Sequence, residues 1–205
     1  MVGIIAGVWA LLTVIITTLS YLPAHPDFSI FTTYLSEMSD SSITTGWPPI
    51  IFNAGTLMAV PIRYLVIVLL VLRLSQFGAG RAFAISTLVL GFFSTAGTAL
   101  MTAVPFGTGP AIHKLGIVFY FLGVVFLQIV IGIKELSLKN IPKVLPGLSF
   151  IMVVLYSIFT ILMILYEQGT VGRTTPVIWE WLAFFSSVLW VFTQSILLDK
   201  PDTSR

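Results

Sequence analysis

The 205-residue chain contains no cysteine, so disulfides, thiolate metal sites, cysteine nucleophiles and palmitoylation are excluded. Charge is also scarce. Asp, Glu, Lys and Arg make up 9% of the residues, against about 25% in an average soluble domain. The formal net charge is only +2 and the cations are scattered along the chain, so the sequence predicts no nucleic-acid partner.

Common catalytic motifs are missing as well. The chain has no H-E-x-x-H, no G-x-S-x-G and no glycine-rich phosphate loop. Its two histidines, His25 and His113, have no potential metal ligand at the local spacing of a zinc site. We therefore predict no metal site and no cofactor, and whether the protein is an enzyme stays open.

Hydrophobic residues are what the chain has in excess: they make up 57% of it, and the mean hydropathy is +1.04. Six apolar stretches reach the roughly 20 residues that a helix needs to cross a bilayer. The sequence therefore predicts an all-α polytopic membrane protein, a six-transmembrane-helix bundle in a single domain over residues 1–205. The predicted helices lie at about 2–22, 49–72, 82–104, 112–133, 145–166 and 177–198.

The distribution of cations predicts the orientation. One face of the predicted bundle carries most of them: Arg73, Arg81, Lys134, Lys139, Lys143, Lys200 and Arg205. The opposite face carries Lys114 and Arg173 together with five acids. Under the positive-inside rule the cation-rich face is cytoplasmic. We therefore expect a cell-membrane protein with both termini in the cytoplasm.

The loop between the first two predicted helices has a helical pattern of its own. After Asp27, a good N-cap residue, apolar side chains recur at Phe28, Phe31, Leu35 and Met38. This spacing predicts a short amphipathic helix that lies in the outer membrane interface, either as an anchor or as a lid on the bundle.

Polar side chains of this loop and of the fourth helix form a predicted outer cluster. Ser36, Glu37 and Asp40 lie in the loop, and His113 lies near the start of the fourth helix. A serine or a carboxylate beside a histidine is the residue set of nucleophilic and acid–base catalysis, so these four residues are the catalytic candidates.

Lys114 lies near the N-terminus of the fourth helix, where the helix dipole disfavours a cation. We expect an acid to offset this cost, and predict that Glu37 or Asp40 contacts His113 or Lys114. A salt bridge from Glu180 to Lys114 and an anionic lipid headgroup are the alternatives.

Arg63 lies in an apolar stretch, roughly 20 Å below the outer end of the second helix and on the same face as Asn53. An arginine at this depth costs about 2.5–3.5 kcal/mol to insert, so we predict that it faces the bundle interior. The expected partners are neutral: Gln128, Gln194, Ser186, Ser187 or backbone carbonyls. The candidates for binding a ligand or lipid are Asn53, Arg63, Lys114 and Glu180.

Small residues recur at intervals of four along the third helix, at Gly91, Thr95 and Ala99 and again at Ser94, Thr98 and Thr102. Gly3 and Gly7 repeat the pattern in the first helix. Such spacing predicts close helix packing, and it favours the third helix as the centre of the bundle.

Three stretches carry a family resemblance: PDFSIFTTYLSEM, WPPIIFNAGTLM and a short P-x-G…H loop before the fourth helix. Over about residues 20–135 the chain resembles the membrane family called domain of unknown function 998. More distantly it resembles the FRAG–DRAM–SFK group of six-helix proteins, some of which are tied to lipid-anchor remodelling or autophagy. The resemblance implies that five positions match the family's motifs: Ser36, Glu37, Phe52, Asn53 and His113. It implies no activity. The group's S-D-x-G pattern lacks its glycine here, where Ser39 stands.

Three functions are compatible with these features. We favour a lipid-binding or partner-supporting protein, whose partners are membrane lipid and another membrane protein. The alternative is an outer-leaflet lipid-modifying enzyme, a hydrolase or acyl-remodelling enzyme that uses His113 with Ser36, Glu37 or Asp40. A small transporter that uses Arg63 comes last, because we identify no acid within the spans that could relay protons.

Overall fold

The computed structural model describes residues 1–104 and 107–198. Six helices are present: α1 (Val2–Tyr21), α2 (Trp47–Gln76), α3 (Arg81–Ala103), α4 (Pro110–Ser137), α5 (Val144–Glu167) and α6 (Val177–Leu198). All six are long and apolar enough to cross a membrane, and the described residues contain no strand. The predicted all-α, six-helix architecture of a multi-pass membrane protein is confirmed.

Proline and glycine define where α2 and α4 begin. Gly46 has φ +87°, a conformation that favours glycine, and α2 starts at the next residue with prolines in its first turn. Pro110 is the first residue of α4 and Gly109 is its N-cap. Both helices run about one turn further than predicted at their other ends, to Gln76 and Ser137.

The six helices form a closed ring in chain order. Each helix packs against the next one in the sequence, and α6 packs back on α1. All six helices contribute residues to a cavity inside this ring. The third helix is therefore one member of the ring, mainly between α2 and α4, and the prediction that it forms the centre was wrong.

The predicted packing role of the small residues is confirmed. A Cβ on Gly91 would lie 2.9 Å from the Ile67 side chain of α2, and a Cβ on Gly7 would lie 2.9 Å from Phe192 of α6. The α3–α4 pair is closer still. A Cβ on Gly123 would lie 2.7 Å from the backbone nitrogen of Ser94, so these two helices touch backbone to backbone.

The outer surface of the bundle is apolar, unlike that of a soluble protein. Large apolar side chains are exposed along every helix, where they can face lipid. Inside the ring, by contrast, many buried residues are polar: Thr13, Thr17, Thr87, Ser94, Thr95, Thr98, Thr102, Gln128, Glu135, Ser149 and Gln194. Because lipid cannot satisfy polar groups, such side chains have to lie inside the bundle.

Two ends of the bundle can be distinguished without reference to a membrane. The first-loop end carries residues 22–46, the start of α4 and the loop between α5 and α6. The basic end carries the N-terminus and the connections with Arg81, Lys139 and Lys143. The charge pattern predicts that the basic end is cytoplasmic.

A labelling experiment tests this orientation, and the absence of native cysteine makes single-cysteine probes specific. Ser42 and Ser137 are both exposed and lie at opposite ends. In intact cells, Ser42→Cys is expected to react with an impermeant maleimide and Ser137→Cys only after permeabilisation. The reverse pattern would invert the orientation.

Candidate functional site

The first loop, residues 22–46, packs onto its end of the bundle but does not form the predicted amphipathic helix. Its only helical segment is one 3₁₀ turn, Ser36–Ser39, and the residues from Phe28 onward form turns. Met38 is fully buried, and Tyr34 and Leu35 are nearly so, against residues of α1, α5 and α6. Phe31 of the predicted apolar stripe is 62% exposed. Of the two predicted roles, the loop has that of a lid on the bundle.

Side chains that hydrogen-bond the loop backbone explain why the helical segment is limited to one turn. Glu37 accepts a hydrogen bond from the Tyr34 amide at 3.1 Å, and Glu180 of α6 accepts one from the Leu35 amide at 2.6 Å. The Trp181 indole of α6 donates to the Thr33 carbonyl at 3.0 Å. These groups compete for the amides and carbonyls that a helix would use internally.

Glu37 forms an ion pair with Arg173, which lies in the loop between α5 and α6. Arg173 also donates to the Thr32 carbonyl at 3.0 Å and lies over the Tyr34 ring. The prediction that a loop acid contacts His113 or Lys114 was wrong. Arg173 lies at the same end of the bundle. Its forked guanidinium can donate to the Glu37 carboxylate and to the Thr32 carbonyl at the same time.

Tyr34 connects the loop to the same arginine, since its hydroxyl donates to the Arg173 carbonyl at 2.7 Å. Burial raises the pKa of Tyr34 to about 12, and the charge of Glu180 adds to this effect. The hydrogen bond that Arg173 donates to the Glu37 carboxylate raises the pKa of Arg173. Tyr34 thus stays a neutral donor and Arg173 stays a cation at physiological pH.

The other outer candidates are engaged separately. Asp40 accepts from the amide and the hydroxyl of Ser42, at 2.8 and 2.6 Å. His113 Nδ1 lies 2.9 Å from the Val104 carbonyl, to which it donates. Lys114 pairs with Glu167 at 3.5 Å, so the predicted bridge to Glu180 is replaced by another acid.

The remaining candidates stabilise the loop. The Ser36 amide faces Glu180 at 3.4 Å, and Asn53 of α2 donates to the Ser39 carbonyl at 3.0 Å. The described chain therefore contains no hydrogen-bonded relay of Ser36, His113 and Asp40. Nor do three or more His, Asp or Glu residues converge within residues 1–104 and 107–198.

The structure predicts which ion pair holds the first loop in place. Arg173→Gln removes both the pair with Glu37 and the bond to Thr32. We expect chymotrypsin to cleave at the exposed Phe31 several-fold faster in this variant. Lys114→Gln is the matched control, because its pair with Glu167 is exposed on both sides and contributes little. Equal cleavage of the two variants would contradict the assigned role of Arg173.

A second polar site lies in the middle of the ring, around Arg63. Its guanidinium donates to the Thr98 hydroxyl of α3 at 3.0 Å and lies 5.4 Å from the centre of the Tyr120 ring of α4. The prediction that Arg63 faces the interior with neutral partners is confirmed. The partner itself was not among the predicted ones.

Arg63 lines a cavity of about 90 Å³. Gln128 and Ser187, two of the predicted partners, line the same cavity, together with Ser94, Tyr156 and Trp190. The rest of the wall is apolar or small, and none of the lining residues is acidic. The cavity therefore offers one positive charge, hydroxyl and amide groups, and an apolar surround.

A buried acid near the basic end of α4 was not among the predicted site residues. Glu135 of α4 is completely buried and accepts hydrogen bonds from Gln194 of α6, at 2.6 Å, and from Ser149 of α5, at 3.3 Å. Trp190, which lines the cavity, donates to the same Ser149 hydroxyl at 2.9 Å. The statement that the spans contain no acid was therefore wrong.

The predicted end of the fourth helix caused this omission. Ending the helix at residue 133 placed Glu135 in a cytoplasmic loop beside Lys134, whereas α4 continues to Ser137. The available signal was the spacing between Gln128 and Glu135. Seven residues are two helical turns, so both side chains lie on one face of α4.

Comparison of the chain with protein-family models, with curated proteins and with solved structures finds no match. The resemblance of residues 20–135 to domain of unknown function 998 stays a prediction.

Proposed function

We propose that this protein is a ligand-binding protein of the cell membrane, with both termini in the cytoplasm, whose ligand carries one compact anionic group. That group, a carboxylate or phosphate, enters the central cavity beside Arg63. Either a membrane lipid or a small solute could carry it. This proposal moves the binding function from the outer cluster to the middle of the bundle.

The observation that carries the proposal is the uncompensated charge of Arg63. Its contacts are the Thr98 hydroxyl and the Tyr120 ring, both neutral, and no acid lines the cavity. A cation inside an apolar bundle costs several kcal/mol unless it is paired. An anionic ligand offsets this cost directly, and the guanidinium has four further N–H donors for it.

Gln128 supports the same interpretation. Its side chain is only 2% exposed, it lines the cavity, and its amide oxygen has no hydrogen-bond partner in the described chain. Buried polar atoms are normally hydrogen-bonded, so an unpaired one beside a cavity is a site for a ligand or water. Rotation of the amide would instead present its two N–H donors to an anion.

The size of the cavity limits what part of a ligand can enter. A volume of about 90 Å³ corresponds to about three waters, since each occupies roughly 30 Å³ in the liquid. This accommodates a carboxylate or phosphate group and little more. A longer acyl chain would have to extend between the helices, along the apolar part of the wall.

Thermal unfolding of the purified protein in detergent tests the proposal with four probes: decanoate, butyrate, orthophosphate and the uncharged decanamide. At least one anion is expected to raise the melting temperature in a saturable manner, because it binds the folded state only. Decanamide is expected to have no such effect. Stabilisation by decanoate alone identifies an amphiphile, and stabilisation by butyrate or phosphate identifies a solute.

Two variants assign the binding to the cavity. Arg63→Gln is expected to weaken anion binding about 10- to 100-fold, as loss of a hydrogen-bonded charge does. Arg81→Gln, an exposed cation at the basic end, is the matched control and should bind as the native protein does. Equal affinity of all three proteins, or equal stabilisation by decanamide, would contradict the proposal.

A further inference from the structure

We propose that Glu135 is a proton-binding site whose occupancy is linked to the charge in the central cavity, so that the protein takes up a proton when an anion binds beside Arg63. The anion part rests on the proposed function above. The proton site rests on the buried hydrogen-bond network around Glu135. The anion and the proton would then bind together with no net charge, as a protein that carries an anion together with a proton requires.

Among residues 1–104 and 107–198, no charged side chain contacts the Glu135 carboxylate. Its direct contacts are the neutral Gln194 and Ser149. It forms no ion pair with any cation in residues 1–104 and 107–198. A carboxylate that is buried without a cation is costly, and protonation removes that cost.

Cations do lie on the elements packed around this end, but they are directed elsewhere or exposed. Arg73 of α2 donates to the Leu198 carbonyl, and Lys143, just before α5, donates to the Leu136 carbonyl. Arg81 of α3 is exposed. Lys134, next to Glu135 on α4, is half-buried, Lys139 is exposed, and neither forms an ion pair within residues 1–104 and 107–198.

Gln194 is arranged so that it can serve both protonation states. Its amide nitrogen donates to the Glu135 carboxylate, while its own oxygen is buried and has no partner in the described chain. If Glu135 gains a proton, it becomes a donor, and a half-turn of the amide places the unpaired oxygen against it. Ionised Glu135 accepts from Gln194, and protonated Glu135 donates to it.

Two features connect this site to the cavity. Trp190 lines the cavity and bonds Ser149, which bonds Glu135, and all three side chains are buried. Along α4, Glu135 lies seven residues from Gln128 of the cavity wall, or about 10 Å. The charge itself lies further away, because the Arg63 guanidinium is beside Tyr120, fifteen residues or about 22 Å along α4 from Glu135. At about 22 Å, loss of one positive charge changes a proton affinity roughly fourfold at an effective dielectric constant of about 20.

Protons can reach Glu135 from the basic end. The residue lies two positions before Ser137, the last residue of α4, and therefore less than one helical turn from the helix terminus. The proton would come from water at that end and bind a carboxylate oxygen, with no other bond made or broken. The anion and the proton thus occupy separate sites that interact by charge.

The test is infrared spectroscopy as a function of pH on the full-length protein in detergent, first without any ligand. The native protein is expected to show the carbonyl stretch of a protonated, buried carboxylic acid that disappears as pH rises. Glu135→Gln should lose this band, and Glu167→Gln, an exposed acid, should keep it. If the Glu135→Gln variant kept the same pH-dependent carbonyl band as the native protein, the proposal would be overturned.

Arg63→Gln tests the linkage without a ligand, because it removes the charge that a bound anion would neutralise. The Glu135 band should then persist to about half a pH unit higher, a roughly fourfold gain in proton affinity. Arg63→Lys keeps the charge and should titrate as the native protein does. An unchanged midpoint in Arg63→Gln would overturn the linkage.

Adding decanoate distinguishes this inference from the proposed function. In the native protein it should reproduce the shift seen in Arg63→Gln, and it should have no effect in that variant. If the Arg63→Gln shift appears but no anion binds, the proton site stands and the proposed function fails. If anions bind but Glu135→Gln leaves their binding equally dependent on pH, the proposed function stands and the proton site fails.

Discussion

Replacing Gly97 with valine is expected to be the most destabilising single change in the bundle. A Cβ at this position would clash with the Tyr120 amide nitrogen and lie 2.6 Å from the Gly116 carbonyl oxygen. Both are backbone atoms of α4, so no side chain can rotate away. The helices have to separate, and overpacking of this kind costs about 3 kcal/mol or more.

Gly147 provides the matched control for Gly97. It also lies within a helix, α5, but a Cβ there meets no other atom within 4 Å. Gly147→Ala is therefore expected to be neutral or to raise stability by up to about 1 kcal/mol, the helix-propensity difference. Thermal unfolding in detergent, followed by circular dichroism, measures both variants. A melting temperature of Gly97→Val near that of Gly147→Ala would contradict the close α3–α4 contact.

The separation of α3 and α4 would also affect the candidate site. Thr98 follows Gly97 directly, and Tyr120 contributes both the blocking amide and the ring beside Arg63. Gly97→Val should therefore lose anion binding together with stability. The same close approach of the two backbones holds the bundle together and places the groups around the arginine.

Arg63→Asp has the second largest expected effect. It replaces the single cation of the cavity with an acid that is too short to reach Thr98 and has no cation nearby among the lining residues. An unpaired buried charge costs about 3–5 kcal/mol, less whatever protonation of the new acid relieves. We expect a markedly lower melting temperature and reduced expression.

Neutral substitutions of Arg63 separate the effect of the introduced negative charge from the effect of the changed side-chain shape. Arg63→Asn has nearly the shape of aspartate without the charge, so the difference between the two variants measures the cost of the anion. Arg63→Leu should be tolerated, because Thr98 still has the Ser94 carbonyl as its hydrogen-bond partner. If the aspartate variant were as stable as the leucine variant, the cavity would have to be open to water.

Local properties of the sequence were sufficient to predict the class and architecture. A span is recognised by the length and hydropathy of one continuous stretch, and the six predicted stretches correspond to α1–α6. The inward direction and neutral environment of Arg63 were also predictable, since lipid penalises any other placement of a mid-span cation. Small residues at intervals of four indicated correctly where helices approach closely.

The sequence alone did not specify the long-range contacts that hold the first loop. Glu180 binds the Leu35 amide across 145 residues of sequence, and Arg173 replaces His113 as the partner of Glu37. The spacing of apolar residues over Phe28–Met38 gives no information about these distant hydrogen-bond partners. Only the tertiary structure decided that hydrogen bonds from the loop backbone to α6 and to the loop between α5 and α6 replace an amphipathic helix.

The distribution of apolar residues along the sequence determined that this is a bundle of six apolar helices, because each span is one continuous apolar stretch. The packing of α6 against α1, which closes the ring of helices, decided which polar residues meet inside the bundle. Packing of α6 on both α5 and α1 brings Gln194 and Trp190 to the side of α4 that carries Gln128 and Glu135. The buried acid is held by contacts among α4, α5 and α6, and the central cation by contacts among α2, α3 and α4. No pattern within one helix specifies such contacts.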